Sequence, residues 1–279
     1  MQESSLFVSY GNSDVGRVRK NNEDSYLYKT FSIKGNGTPD AFLMVVADGM
    51  GGHAAGEVAS AKVIEELDSN VNEDSLGNLP DILKQIIEDA NQKIFDISAE
   101  NRELTGMGTT CTAMVYINDL VHLAHVGDSR AYLIRDKEIS CLSKDHTVVQ
   151  ELLEAGSITE EKARTSPERN ILLRAVGTSE ELDVDLYSPL STNDGDIFLL
   201  CSDGLTEYII EQEIKDTIVA YPIDRVCDEL IRIANDRGGA DNITVQLAML
   251  KDKPKIKRTR HILKIFKNIL FDDSVTTPK

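Results

Sequence analysis

Apolar residues recur along the chain in short runs bounded by Gly, Asp and Asn. Eight such runs read as β-strands, at residues 6–11, 25–29, 41–48, 109–117, 120–126, 131–135, 197–202 and 243–250. Helical periodicity appears at 55–67, where Ala59, Val63 and Leu67 recur at every fourth position. A second helix follows Pro80, with Ile82, Ile86, Ala90 and Ile94 on one face. Two more are predicted at 148–155 and 223–234, the latter stopped by Arg237-Gly238-Gly239. Several strands follow one another through 109–142 with turns too short for crossover helices. That order predicts antiparallel hairpins and an α+β layered sandwich, not a doubly wound parallel sheet.

Composition narrows the possibilities. The 279 residues carry a formal charge of −17, 41% hydrophobic and 28% charged residues, ordinary for a soluble globular chain. No run approaches the ~18 apolar residues of a membrane span, and MQESSLFVSY lacks a basic start with a long apolar stretch. A cytoplasmic protein is expected. Cys111, Cys141, Cys201 and Cys227 lie far apart without a C-x-x-C pair, so they read as reduced, mostly buried thiols.

The charge is unevenly spread. Residues 251–279 hold nine Lys/Arg against three Asp, a net +6; residues 1–250 keep 21 basic and 44 acidic residues, a net −23. So acidic a body argues against nucleic acid as partner and against a two-metal nuclease. The chain therefore divides into a body, 1–250, and a tail, 251–279. In the tail, Ile262, Ile265, Phe266, Ile269 and Leu270 share one helical face, with Arg258, Arg260, Lys264 and Lys267 largely elsewhere. This basic amphipathic segment suits a membrane surface, the acidic body or a flexible extension.

Candidate chemistry sits at strand ends. In VVADGMGGHAAG, residues 45–56, an apolar strand ends in Asp48 and glycines follow. Gly49-x-Gly51-x-x-Ala54 loosely fits a dinucleotide fingerprint. However, Asp48 would place a negative charge beside the pyrophosphate, and no second parallel strand follows. The same design recurs. Asp203-Gly204 follows FLLCS, Asp128 lies in the turn of HVGDSRAY, Asp241 precedes a strand in GGADNITV, and Glu23-Asp24 precedes another. A single Asp-Gly pair marks a turn, the reading adopted for Asp14-Val15-Gly16 and Asp194-Gly195-Asp196. Five matched sites point further. If they converge, like charges must be neutralised, and divalent cations do this. An all-oxygen donor set suits Mg²⁺ or Mn²⁺ better than zinc, and Gly49 would let its own carbonyl approach an ion.

The stretches RKNNEDS (19–25), VVADGMGGH (45–53), GTTCTAMV (108–115), HVGDSRAYLIR (125–135), DHTVVQELLEAGSIT (145–159), NILLRAVG (170–177), LLCSDGLTE (199–207) and DNITV (241–245) occur in this order. Together they resemble the bacterial form of the metal-dependent protein serine/threonine phosphatases of type 2C, over about residues 5–250. The resemblance implies a four-layer α-β-β-α sandwich with two mainly antiparallel sheets and a metal pair at one edge. It implies hydrolysis of phosphoserine and phosphothreonine by a water bridging two Mn²⁺ or Mg²⁺ ions, with an inactive phosphoprotein-binding regulator as the alternative. Asp48 would bridge both ions, the Gly49 carbonyl would bind one, and Asp203 and Asp241 would hold the other. Asp24 with Glu23 would reach the cluster through water, and Asp128 with Asp203 would share a third ion. Arg19 falls at the phosphate-binding position, where its fork grips two oxygens.

The resemblance further implies phosphorylated protein substrates, those of eukaryotic-type Ser/Thr kinases, and a monomer. Residues 145–178 correspond to a flap beside the site that favours extended phosphopeptides. One position departs: Met50 stands where eukaryotic relatives have a histidine proposed to protonate the leaving alcohol. His53 is the nearest substitute, with a packing or capping role as its alternative and water as another acid. Asp145 is expected to cap the helix after it, and His122 and His125 to be structural residues on one strand face.

Overall fold

The computed structural model describes residues 2–3 (backbone), 6–33, 38–51 and 55–251. His53 and the tail beyond Lys251 lie outside the described residues. Twelve strands are found among them: β1 (Gln2–Glu3), β2 (Phe7–Asp14), β3 (Asp24–Phe31), β4 (Ala41–Met50), β5 (Gly108–Thr109), β6 (Cys111–Ile117), β7 (Leu120–Val126), β8 (Arg130–Arg135), β9 (Glu138–Cys141), β10 (Asp185–Ser191), β11 (Ile197–Cys201) and β12 (Ile243–Leu250). The α-helices are α1 (Ala55–Asn70), α2 (Leu79–Glu100), α3 (Val148–Glu154), α4 (Glu160–Thr165), α5 (Asp203–Thr206), α6 (Glu211–Ala220) and α7 (Val226–Asp236).

The strands form two antiparallel sheets. Sheet one runs β1-β2-β12-β11-β8-β9, and sheet two runs β10-β7-β6-β4-β3 with β5 added to β4. Alternation along each strand sends side chains into different layers. From β4, Leu43 and Val45 pack against α1 and α2, while Phe42, Met44 and Val46 enter the space between the sheets. From β11, Leu199 and Cys201 pack toward α5, α6 and α7, and Phe198 and Leu200 face sheet two. Three apolar layers thus separate four structural ones, the expected α-β-β-α sandwich.

Ala59, Val63 and Leu67 on α1 are fully buried. The buried face of α2 is turned from the expected one: Leu83, Ile87, Ala90 and Ile94 lie at its centre, while Ile82 is only partly buried. The α7 segment begins as a 3-10 turn over Ile223–Arg225 and ends at Gly238 and Gly239, both at positive φ. β9, β10, α4 and α6 escape the apolar pattern. β10 is an edge strand with Pro189 in its middle and a register shift between Tyr187 and Leu190, which proline permits only at an edge. α6 anchors itself through little more than Ile214 and Ile218.

His122 and His125 do not share a face. Three residues apart on β7, they point to opposite sides: His125 is fully buried and His122 is half-buried. Cys111, Cys201 and Cys227 are buried, whereas Cys141 is exposed.

Phe42 is the centre of the layer between the sheets. Its ring lies 4.9 Å from Phe7, 5.2 Å from Tyr116 and 5.7 Å from Tyr28. Phe42→Ala should cost about 3–5 kcal/mol, because rings on three sides cannot collapse into the void. A lower denaturant midpoint at unchanged m-value is the expected readout.

Candidate metal centre

Antiparallel register decides which loops meet. In sheet one, Cys201 at the end of β11 is opposite both Arg130, which starts β8, and Val245 near the start of β12; Ile243 is opposite Asp14, the end of β2. Asp203, Asp128 and Asp241 lie just beyond these positions and therefore leave the sheet at one edge. In sheet two, Asp24 and Asp48 are direct partners across β3 and β4. The Asp24 carboxylate ties the sheets together at that edge: its Oδ2 accepts from Ser202 Oγ at 2.8 Å and from Thr244 Oγ1 at 2.6 Å.

Arg19, Glu23, Asp48, Gly49, Asp128, Asp203 and Asp241 line one cleft of about 370 Å³, joined by Met50, Thr110, Asn170 and Leu172. Asp24 lies buried beneath it. All the sequence-predicted site residues are thus brought together. The Gly49 amide donates to the Glu23 carbonyl at 3.2 Å. A Cβ on Gly49 would strike the Gly56 and Glu23 carbonyl oxygens. Here glycine is required by close approach of strand and helix, a reason additional to carbonyl access.

Burial and mutual repulsion set the electrostatics. Desolvation, followed by the fields of Asp24, Asp203, Asp128 and Asp241, holds Asp48 well above the usual carboxylate range. Asp24 is pushed up to about 7, by burial and then by Asp203 and Asp241, against its hydroxyl donors. Asp203 is pushed up to about 6 by burial and Asp241, with the neighbouring Asp48 carboxyl acting in the opposite direction. Burial and Asp203 raise Asp128.

Arg19 is the cation of the cleft lining, and its Nη2 donates to Asp241 Oδ2 at 2.6 Å with 53% of the side chain exposed. An ion pair so open contributes roughly 0.2–1 kcal/mol, so the guanidinium can exchange this partner for a phosphate.

The residues fit divalent cations. Asp24 Oδ1 is buried without a hydrogen-bond partner, an orphaned acceptor at the base of the acidic cluster. Among the described residues no three acidic, His or Cys side chains already enclose one point. The cleft leaves space for water in the shell instead, as Mg²⁺ in particular demands because it dehydrates reluctantly.

Residues without an assigned role in the sequence reading complete the site. Asn242 accepts from the Glu23 amide at 2.8 Å and donates to the carbonyls of Val15 (3.0 Å) and Asn21 (2.9 Å), fastening the Arg19 loop to β12. Thr110 Oγ1 accepts from the Asp48 amide at 2.8 Å. The legible signal was polar residues inside otherwise apolar motifs, in GTTC and DNITV. Asp145 corrects an expectation. Thr147 caps α3, its hydroxyl accepting from the Gln150 amide, while Asp145 takes a bidentate grip from Arg130 at 2.9 and 2.7 Å. Asp145 precedes the cap position by two residues and is aimed back at β8. Asp14 and Asp196 are structural as read: Asp14 accepts from the Gly16 amide, and buried Asp196 pairs with Arg135.

The raised carboxyls make metal-free stability depend on pH. Asp24 ordinarily titrates at 3.8 and here at about 7, so the folded state binds the extra proton between those values. Its contribution is fully present below the unfolded value and is lost as pH rises through about 7. The metal-free protein should melt progressively lower from about pH 5 to about pH 7.5, and Asp24→Asn should flatten that slope. Mn²⁺ added at about pH 6 should release protons, measurable by calorimetry in buffers of different ionisation enthalpy.

The chain matches the profile of the family described as Protein phosphatase 2C over residues 8–172. It is 36% identical to the protein phosphatase PhpP of Streptococcus pneumoniae over 247 residues, 86% of this chain and 96% of that protein. The crystal structure of the Mycobacterium tuberculosis serine/threonine phosphatase PstP superposes with a TM-score of 0.79 at 37% identity, covering 88% of this chain and all of that one. The catalytic domain of a serine/threonine protein phosphatase PstP in complex with two manganese ions superposes at 0.76 with 36% identity, covering 88% of this chain and 99% of that one. With its sheet-edge carboxylates and this likeness over most of its length, the chain belongs to the protein phosphatase 2C family.

Proposed function

We propose that the sheet-edge cleft hydrolyses phosphoserine and phosphothreonine in proteins, with Asp24, Asp48, the Gly49 carbonyl, Asp128, Asp203 and Asp241 as its metal set and Arg19 as its phosphate clamp. The protein is a metal-dependent serine/threonine phosphatase using Mn²⁺ or Mg²⁺. The observation that carries the residue assignment is the convergence of acidic side chains from distant parts of the chain, with one exposed arginine beside them.

When bound, the ions lower the pKa of the attacking water and neutralise charge developing on the phosphoryl oxygens. The chain's own groups do the rest. Thr110 and the Asp24–Asp48 register hold the carboxylates in place, and Arg19 orients the phosphate by releasing Asp241. Met50 lines the cleft and carries no transferable proton, so the proton for the leaving alcohol comes from His53 or from water. The net −23 of residues 1–250 does not repel substrate, because bound cations reverse the local sign and charges beyond about 8–10 Å are screened.

Asn170 and Leu172 bring the 145–178 flap to the cleft rim, which favours extended phosphopeptides. Substrates of eukaryotic-type Ser/Thr kinases fit this reading, as does a cytoplasmic monomer. Among the described residues no helix is long and apolar enough to cross a membrane. The basic segment 251–279 is the element suited to an anionic membrane surface or to the acidic body.

Hydrolysis of a phosphothreonine peptide and of para-nitrophenyl phosphate should require Mn²⁺. Asp48→Asn should lower turnover by roughly a hundredfold or more. Arg19→Lys should lose ten- to a hundredfold in kcat/KM, about 1.5–3 kcal/mol for a charged bidentate contact. Peptide binding without turnover in the wild type would indicate the inactive regulator, and DNA cleavage a nuclease.

A further inference from the structure

His146 is nearly fully buried and has no place in the metal set, yet every polar atom of it is engaged. Its Nδ1 accepts from the Gly127 amide at 3.1 Å, and its backbone amide donates to the Gly127 carbonyl at 2.8 Å. A backbone N–H can only donate, so Nδ1 carries no proton there and Nε2 does. Nε2 accordingly donates to Asp185 Oδ2 at 3.2 Å, and Asp185 is held in turn by Arg174 Nη1 at 2.6 Å. A carboxylate orienting an imidazole orients everything that the imidazole holds.

What it holds is the peptide before Asp128. Gly127 lies at φ +109°, and a Cβ there would strike the Thr110 side chain. The turn is pressed against the same threonine that supports Asp48, and Thr110 Oγ1 and Ser129 Oγ share a hydrogen bond of 2.7 Å. His125 secures the other side, its Nε2 3.0 Å from the Gly127 carbonyl. On its outer side His146 anchors the flap. Its carbonyl accepts from the Leu173 amide at 2.8 Å, and the adjacent Thr147 bridges Leu172, which lines the cleft.

We propose that His146, oriented by Asp185, is a positioning residue that joins the base of the flap to the Asp128 turn and thereby sets the affinity of the cleft for the ion that Asp128 holds. The inference rests on Asp128 being a ligand. It predicts that the acceptor at Nδ1 matters more than the imidazole as such. Asparagine, whose Oδ1 falls close to that nitrogen, should substitute, and leucine of similar bulk should not.

The test is Mn²⁺ binding by calorimetry on the full chain, with half-saturating Mn²⁺ for peptide hydrolysis as a second reading. The proteins are wild type, Asp128→Asn, His146→Leu, His146→Asn and Asp185→Ala. His146→Leu should weaken the weakest Mn²⁺ site ten- to a hundredfold, as loss of a ligand-supporting group does. His146→Asn should stay within about threefold of wild type, Asp185→Ala should fall between, and Asp128→Asn should remove the site. Combining His146→Leu with Asp128→Asn should add nothing, since both act through one ligand. If Asp128→Asn weakens the site and His146→Leu does not, the positioning role is overturned and the metal set stands. If Asp128→Asn changes no Mn²⁺ binding, the assignment of Asp128 fails first and this inference with it. Should His146→Leu not fold, Asp185→Ala carries the test alone, and wild-type Mn²⁺ affinity in that variant overturns the proposal.

Discussion

Like charge, buried at one edge of two sheets, is the constraint on which this molecule turns. Asp24, Asp48, Asp128 and Asp203 are withdrawn from water within reach of one another's fields, and each is thereby driven toward its protonated form. A fold can hold such an arrangement only if its framework is stiff enough not to relax. The ladders that pair Asp24 with Asp48, and Cys201 with both Arg130 and Val245, supply that stiffness. So do the Ser202 and Thr244 hydroxyls that pin Asp24 from the opposite sheet. Repulsion stored this way becomes affinity for cations, which is how an acidic protein can act on an anionic group.

The support around the acidic cluster follows a common logic. Asn242 fastens the Arg19 loop, Thr110 fastens the Asp48 strand end, and His146 fastens the turn before Asp128. None of these groups is charged in its bonded form. Neutral donors and acceptors can hold the backbone near a charged site without adding to the charge problem that the carboxylates already pose.

Much of this was legible in the chain because four of the strands carrying the site, β4, β8, β11 and β12, are buried on both faces. Runs such as Ala41–Ala47 leave little doubt about a central strand, and the carboxylate that ends each run marks the sheet edge. The eight ordered motifs did the remaining work for the fold. Strands and helices with little apolar commitment were not legible. β10 combines exposed alternate positions with Pro189, and α6 relies on two isoleucines. The site was legible at its charged residues and obscure at its neutral ones. Asn242 and His146 act through backbone atoms of residues far away in sequence, and local pattern contains no trace of such a bond. Asp145 shows the opposite error, a residue type suited to capping that instead reaches back to Arg130 because Thr147 already fills the cap.

The direction of β12 has a consequence for handling the protein. This eight-residue strand begins beside Asp241 in the cleft and ends at Leu250 on the far rim of sheet one. At about 3.3 Å per residue the two rims stand roughly 25 Å apart. A bead, dye or fused module attached just after Leu250 would thus be held away from the opening, leaving it facing free solution.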